Sequence, residues 1–189
     1  MKKIVKLFDW FKVKYTLFNL RKNGKLKGLR NSIVKNPDRF DFKKVYIEKY
    51  CRIECITNYG KQNFDSRLII GENTFIGYNN TILCAEKIEI GNNCLIASNV
   101  FISDENHGVD ISGGGYIFQP LSTNPIIIGN NCWIGQNVCI LPGVKLGSNV
   151  IVGAGSVVTK SFEKNTMIAG NPAEIIKKWD DEKQTWIKV

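Results

Sequence analysis

The chain has 189 residues, of which 43% are hydrophobic and 23% are charged, which is enough for one domain with a hydrophobic core. No apolar run reaches the roughly 18 residues that a membrane-spanning helix needs. Residues 1–30 hold ten Lys and Arg residues against Asp9 alone, whereas the rest of the chain carries equal numbers of both signs.

The spacing of apolar residues predicts a helix within a basic N-terminal arm, residues 1–40. The apolar positions of that helix are Ile4, Leu7, Phe8, Phe11, Tyr15 and Phe18. One interpretation is a helix docked on the body with its lysines in solvent. The other is an interfacial helix that rests on an anionic leaflet through aromatics and lysines. Residues 1–22 are therefore a candidate peripheral contact with the inner membrane. The start of the chain is too interrupted by charge to resemble a secretory signal, and six cysteines in such a chain predict a reduced, cytoplasmic protein.

A period of six residues dominates the chain and is clearest from Ile128 to Val158. An aliphatic residue falls at positions 128, 134, 140, 146, 152 and 158, and glycine follows it at 129, 135, 147 and 153. Neither a strand nor a helix has this period, so the pattern indicates a chain that turns a corner every six residues, a parallel β-helix. The repeats predict about four stacked coils within residues 41–170.

Two residue types fit the corners and the interior of such a coil. Asparagine lies three places after the aliphatic residue at positions 73, 79, 93, 99, 131, 137 and 149, where a corner needs a left-handed backbone. Cys51, Cys94 and Cys132 fall in small inward slots, where a reduced thiol is a compact apolar filler. Cys51 and Cys55 lack a second Cys or His pair at zinc spacing, so no metal site is predicted.

The period fails over a loop, residues 103–125. This loop contains three consecutive glycines, two prolines and His107, the only histidine in the chain. An insertion into a rigid solenoid is typical of a functional segment. Beyond the repeats, Ile175, Ile176, Trp179 and Trp186 lie on one side of a helical wheel, so residues 171–189 are predicted to form a C-terminal helix.

Three stretches occur in an order that resembles the hexapeptide-repeat acyltransferases: ISDENHG at 102–108, the repeats at 126–160, and IAGNPAEIIKK at 168–178. The nearest branch is that of the sugar O-acetyltransferases, which includes galactoside, maltose, capsule and O-antigen acetylating enzymes. The resemblance implies an all-β, left-handed parallel β-helix, an exception to right-handed crossovers. It also implies a homotrimer with active sites between subunits, acetyl-CoA as donor and a small-molecule or glycan acceptor. Nucleic acid is not an expected partner.

His107 matches the general base of that family. Transfer from a thioester to a sugar hydroxyl needs the hydroxyl to be made nucleophilic, and an imidazole, with an ordinary pKa of about 6.5, suits that task. Asp104 and Glu105 are candidate orienters of the ring, although a backbone carbonyl could serve equally. The predicted acceptor contacts are Asn79, which is also a corner residue, and Asp104.

The positions that correspond to coenzyme A contacts in the family are Gln136, Ala154, Thr159 and Lys160, and Trp133 is a further candidate because of its place in the repeat. Trp133 should point outward, either as a subunit contact or as a wall of the coenzyme A channel. Lys160 could pair with a phosphate or remain solvated. The arginines that serve the nucleotide end in some relatives are replaced here by Glu174 and Lys177.

Several alternatives bear on function. A xenobiotic acetyltransferase of the streptogramin or chloramphenicol type would share the loop histidine and the AGNPA segment, whereas the basic arm favours surface polysaccharide biosynthesis. A serine acetyltransferase is disfavoured because a long helical domain would precede the repeats. A γ-type carbonic anhydrase needs three zinc histidines and is excluded by one histidine per chain. An inactive scaffold for glycan assembly is the non-enzymatic alternative.

Overall fold

The computed structural model describes residues 2–189, with side chains from Trp10 onward. Within this part of the chain the helix is α1 (Lys2–Lys22), and short 3₁₀ turns lie at Pro37–Arg39 and Tyr116–Phe118. The first eight strands are β1 (Leu26–Gly28), β2 (Ile33–Lys35), β3 (Phe40–Phe42), β4 (Val45–Ile47), β5 (Arg52–Cys55), β6 (Asn58–Tyr59), β7 (Gln62–Asn63) and β8 (Arg67–Ile70). The next eight are β9 (Phe75–Ile76), β10 (Thr81–Cys84), β11 (Lys87–Ile90), β12 (Leu95–Ile96), β13 (Phe101–Ser103), β14 (Glu105–His107), β15 (Leu121–Thr123) and β16 (Ile126–Ile128). The last eight are β17 (Trp133–Ile134), β18 (Cys139–Ile140), β19 (Lys145–Leu146), β20 (Ile151–Val152), β21 (Val157–Val158), β22 (Thr166–Gly170), β23 (Ala173–Asp180) and β24 (Thr185–Lys188).

The strands form the three faces of a parallel β-helix. Sheet A has the order β1-β4-β9-β12-β17-β20-β22-β23-β24, sheet B the order β2-β5-β10-β13-β18-β21, and sheet C the order β3-β8-β11-β16-β19. The first five coils each contribute one strand to each sheet in the order A, B, C, and the sixth contributes β20 and β21, with an isolated bridge from Phe162 to Leu146 in place of a strand in sheet C. Because sheet B has six strands, the chain makes six coils rather than the four that the repeats predicted.

The core is a set of aliphatic columns, one per sheet, in which each side chain stacks on the equivalent residue of the next coil. In sheet A the register aligns Ile47, Ile76, Ile96, Ile134 and Val152, all of them buried. Burial of each such side chain contributes roughly 1.5–3 kcal/mol. The six-residue period of the sequence is therefore the spacing of these columns.

The corners confirm the asparagine prediction. All seven of the predicted positions have a positive φ, for example 58° at Asn131 and 62° at Asn149. Their side chains also bond between coils: Asn131 Nδ2 donates to Asn149 Oδ1 at 3.2 Å, and Asn149 Nδ2 donates to Asn165 Oδ1 at 2.8 Å. Glycine follows the aliphatic residue for a steric reason, since a Cβ on Gly147 would lie 2.4 Å from Lys164 N in the next coil.

The cysteines fill the interior as expected. All six are free thiols, and Cys51, Cys94 and Cys132 are buried. Cys94 Sγ lies 3.1 Å from Gly129 O and Cys132 Sγ lies 3.2 Å from Gly147 O, so each thiol donates to a carbonyl of the next coil.

The N-terminal arm is shorter than predicted, because β1, β2 and β3 already form the first coil. The predicted boundary at residue 40 is therefore wrong, and the arm consists of α1 alone. This helix docks through Leu17, which is buried against the core, with Val13 and Leu20 beside it. No helix in residues 2–189 has the length and hydrophobicity of a membrane span.

The predicted C-terminal helix is wrong. The segment instead forms β23 and β24, which pair antiparallel with β22 and with each other. Without β23, the edge of β22 would leave backbone N–H and C=O groups unpaired. The side chains of β23 alternate between more buried and more exposed, as expected of a strand that covers such an edge. Trp179 and Trp186, the residues that suggested a helical stripe, are cross-strand partners with ring centroids 5.5 Å apart.

Candidate active site

The loop that interrupts the repeats is an ordered hairpin. It leaves sheet B after β13, runs through β14, turns over the exposed residues 109–118, and returns along β15. Strands β14 and β15 are antiparallel, and His107 is the partner of Leu121. His107 therefore lies at the point where the hairpin opens into the turn, with its side chain exposed.

Asp104 anchors the root of this hairpin. It is fully buried, and its carboxylate accepts hydrogen bonds from Ala85 N at 2.6 Å and Glu86 N at 2.9 Å. Its own carbonyl accepts from Asn124 N at 2.8 Å, which closes the base of the loop. Burial raises the pKa of Asp104, and the two backbone N–H groups oppose that rise. Both oxygens of Asp104 thus face backbone amides, so in this structure its carboxylate contacts neither the imidazole nor an open surface where an acceptor would bind, and these contacts favour a structural role over the predicted ones.

Gln119 holds the turn of the hairpin together. It is buried, its Oε1 accepts from Asp110 N at 3.0 Å, and its Nε2 donates to Asp110 O at 2.7 Å and Gly114 O at 3.1 Å. A Cβ on Gly108 would lie 2.7 Å from Gln119 Oε1, so the glycine next to His107 permits this bracing.

A second hairpin, β6 and β7, packs against the loop, and the pattern of repeats did not predict it. It turns at Gly60, where φ is 57°. Gln62 of this hairpin bonds twice to Leu121, with Nε2 donating to Leu121 O at 2.9 Å and Leu121 N donating to Gln62 Oε1 at 2.6 Å. The glycine between a tyrosine and a polar pair was the one available signal for this turn.

Tyr59 of the same hairpin contacts His107 directly. Its hydroxyl oxygen lies 3.4 Å from His107 Nδ1, and its ring stands edge-on to the imidazole with centroids 5.4 Å apart. The hydroxyl also donates to Ile117 O at 2.6 Å. Among the described residues, no hydrogen bond joins the imidazole to Asp104 or Glu105, so the side chain beside the ring is Tyr59.

Tyr59 also lines a cavity of about 660 Å³ between the two hairpins. Residues 59–62 form one wall and residues 117–120 form the other, so aromatic, amide and lysine side chains converge on it. A concave site with apolar walls and a few polar groups is the usual form of a small-molecule pocket.

The remaining candidate residues lie at two edges of the β-helix. Asn79, Gln136 and Ala154 follow strands of sheet A, at the edge that leads into sheet B, and Gly155 N donates to Gln136 O across this edge at 2.8 Å. Thr159 and Lys160 follow β21 of sheet B, at the edge from which the His107 loop departs. One copy of the chain therefore holds the candidate residues in two groups, with sheet B between them.

Individual candidates also have structural contacts. Asn79 is a left-handed corner residue, and its Nδ2 donates to Asn99 Oδ1 at 2.8 Å. Lys160 Nζ lies 2.7 Å from the carboxylate of Glu174, so the residue that replaces a family arginine partners the lysine. Trp133 is 50% exposed on sheet A.

The comparisons with known proteins agree with this architecture. Residues 125–160 match the family model described as bacterial transferase hexapeptide (six repeats), and residues 67–104 match the model described as hexapeptide repeat of succinyl-transferase. A protein of Escherichia coli (strain K12) named as a lipopolysaccharide biosynthesis O-acetyl transferase, WbbJ, is 44% identical over 114 residues, which cover 57% of this chain and 58% of that protein. The chain thus spans less than two thirds of that curated relative.

Two solved structures are similar over most of the chain. A galactoside acetyltransferase in complex with coenzyme A has a TM-score of 0.59 and 32% identity, with 87% of this chain and 71% of that one covered. A maltose O-acetyltransferase from Clostridium difficile 630 has a TM-score of 0.60 and 31% identity, with 82% and 67% covered. The fold is accordingly the mostly-strand, left-handed β-helix of these acyltransferases. The chain belongs to the hexapeptide-repeat acetyltransferase family, in its sugar O-acetyltransferase branch.

Proposed function

We propose that this protein is an acetyl-CoA-dependent O-acetyltransferase that acts on a sugar hydroxyl in surface polysaccharide biosynthesis. The observation that carries the proposal is the position of His107, on the longer of the two hairpins that interrupt the coils and in contact with Tyr59, which lines the cavity between them. The family of the chain supports the reaction class, and the coenzyme A bound to the similar galactoside enzyme supports the donor.

The reaction needs one base and no covalent enzyme intermediate. A ring nitrogen of His107 takes the proton of the acceptor hydroxyl while the oxygen forms a bond to the thioester carbonyl carbon. The tetrahedral intermediate then collapses with cleavage of the carbon–sulfur bond. The imidazolium returns its proton to the departing thiolate, which leaves as free coenzyme A. The products are the acetylated sugar and the thiol.

A trimer would complete the site, because the two groups of candidate residues lie at different edges of one copy. Sheet A supports this assembly, since a column of outward apolar residues runs along it: Tyr46, Phe75, Leu95, Trp133 and Ile151. Three of them, Tyr46, Leu95 and Trp133, are exposed in a single copy. Contiguous apolar surface of this kind is typical of a subunit interface, so we assign Trp133 to subunit contact.

The assembly is tested by Trp133→Glu, which introduces a charge into this column at its most exposed member. We expect the variant to fall from a trimer to smaller species in light scattering. Lys145→Glu, an outward position on sheet C, is the matched control and should leave the mass unchanged. A monomeric wild-type protein would rule out the shared site.

The exposed face of α1 supports contact with an anionic membrane. Phe11, Tyr15 and Phe18 are all more than half exposed and lie across the helix from Leu17, the residue that docks it. Lysines flank this stripe, and aromatic rings among lysines are the composition of helices that rest at an anionic lipid surface. Such a position would bring the enzyme to membrane-bound glycan acceptors.

Vesicle binding tests this contact. Replacing Phe11, Tyr15 and Phe18 together by serine should abolish co-sedimentation with phosphatidylglycerol-containing vesicles, while Ile33→Ser, an exposed position on the body, should not. Equal binding by the triple variant would contradict the contact.

The acceptor class is tested with acetyl-CoA and three acceptors side by side: a nucleotide sugar, a lipid-linked glycan and a streptogramin. Thiol release that depends on one of the two glycans supports the proposal. Release only with the streptogramin would indicate a xenobiotic enzyme, and no release above the buffer rate with any acceptor would favour a scaffold.

A further inference from the structure

We propose that Tyr59 is a positioning residue that fixes the tautomer of His107, so that Nδ1 carries the hydrogen and Nε2 is the base. This inference rests on the proposed role of His107. It concerns a residue on the β6–β7 hairpin, outside the loop that carries the histidine.

The hydrogen count of the tyrosine hydroxyl decides the direction of the contact. A phenolic hydroxyl has one hydrogen to donate and lone pairs that accept. Its oxygen lies 2.6 Å from the carbonyl oxygen of Ile117, which can only accept, so the single hydrogen is committed there. Toward His107 the tyrosine can therefore only accept, and the donor must be Nδ1–H.

The tautomer of the neutral ring follows directly. A neutral imidazole has one N–H and one nitrogen with a free lone pair. With the hydrogen on Nδ1, the lone pair lies on Nε2, at the far side of the ring from Tyr59. An imidazole free in water favours the opposite tautomer, so the contact selects the less common form.

The surrounding contacts hold both partners in place. Gln62, three residues after Tyr59, is bonded twice to Leu121, which is the strand partner of His107. The Ile117 carbonyl belongs to the 3₁₀ turn of the loop. The hydroxyl thus ties the hairpin to the loop at the same point where it meets the imidazole.

The contact gains strength during the reaction. At 3.4 Å it is longer than an ordinary N–H···O bond. When Nε2 takes the acceptor proton, the ring becomes a cation and Nδ1–H becomes a charge-assisted donor, whose bonds are shorter and stronger. Tyr59 keeps its own hydrogen on the Ile117 carbonyl throughout, so it moves no proton.

Nitrogen NMR reads the tautomer directly, because the chain has a single histidine. Protein labelled with ¹⁵N-histidine, at a pH where the imidazole is neutral, should show a protonated Nδ1 and an unprotonated Nε2. In Tyr59→Phe, which loses only the hydroxyl, the signals should shift toward the Nε2–H form.

Kinetics give a second readout of Tyr59→Phe. The kcat for acetyl transfer should fall roughly tenfold, which corresponds to the loss of one ordinary hydrogen bond, and the KM for acetyl-CoA should be unchanged. Tyr116→Phe, an exposed tyrosine of the same loop, is the matched control and should alter neither.

An Nε2–H tautomer in the wild type, or an unchanged spectrum in Tyr59→Phe, would overturn the inference. Neither result depends on turnover, so the inference can fail while His107 remains the base. Conversely, a protein that is inactive with every acceptor would contradict the proposed function. The NMR spectrum would still show whether Tyr59 sets the tautomer of His107.

Discussion

Gln62 and Leu121 form a paired amide contact. The side chain of Gln62 makes the two hydrogen bonds to the backbone of Leu121 that a neighbouring strand would otherwise make. Because Leu121 is the strand partner of His107, this contact holds the strand on which the proposed base lies. The hairpin at residues 58–63 and the loop at 103–125 are thus one unit, although about 40 residues separate them in the sequence.

Gln62→Ala removes both of these bonds and leaves the backbone N–H and C=O of Leu121 without the side-chain amide that they bond to. We expect kcat to fall about tenfold, because the geometry of His107 loosens by the loss of one or two hydrogen bonds. The loop should also be cleaved faster by a protease. Steady-state kinetics and limited proteolysis measure the two effects. Asn63→Ala, its exposed neighbour, is the control, and equal behaviour of the two variants would contradict the bracing role.

Asp104→Ala tests the anchor at the root of the loop. The change leaves the N–H groups of Ala85 and Glu86 without their acceptor, at about 1–3 kcal/mol for each buried donor. We expect the free energy of unfolding to fall by about 2–4 kcal/mol in a denaturant titration. Unchanged stability, together with a raised KM for the acceptor, would instead restore Asp104 to the substrate site.

Acid stability should depend on Glu54, which is buried beside two cations. Burial alone would raise its pKa, but the hydrogen bonds and charges of Arg52 and Lys35 outweigh burial and leave the pKa below its usual value. A lowered native pKa means that the stabilisation is present above the ordinary glutamate pKa, about 4.3, and is lost as pH falls through the native value.

Glu54→Gln should therefore lower the free energy of unfolding at pH 7 and flatten its decline between about pH 5 and pH 3. Denaturant titrations at a series of pH values measure both effects. Glu72→Gln, at an exposed position, serves as the control. An equally steep acid decline in Glu54→Gln and the wild type would show that other carboxylates determine acid stability.

The sequence predicted the features that repeat and missed those that form once. The coil, its asparagine corners and its cysteine fillers follow from local spacing, and the break at residues 103–125 located His107. The first coil was missed because Gly28 takes the place that the aliphatic Ile47 occupies in the next coil, and Leu29 adopts a left-handed backbone that no corner pattern marks. The final strands were mistaken for a helix because Trp179 and Trp186 suit a helical wheel as well as a cross-strand pair.

The site was only partly predictable for a related reason. His107 could be found because it lies where the six-residue period fails. Tyr59 could not, because it contacts His107 only when two hairpins that are distant in the sequence pack together. Asp104 carries the chemistry of a ligand-binding residue, yet burial against Ala85 and Glu86 gives it a structural role. Residue type indicates the chemistry that a side chain can perform, but the packing of the fold determines which groups it contacts.

The central claim is that His107 is the general base, and His107→Ala tests it most directly. With acetyl-CoA and an accepted sugar, we predict that kcat falls by about 10²–10⁴-fold, while the oligomeric mass and the affinity for coenzyme A stay those of the wild type. Near-normal turnover by a correctly assembled His107→Ala protein would contradict the account.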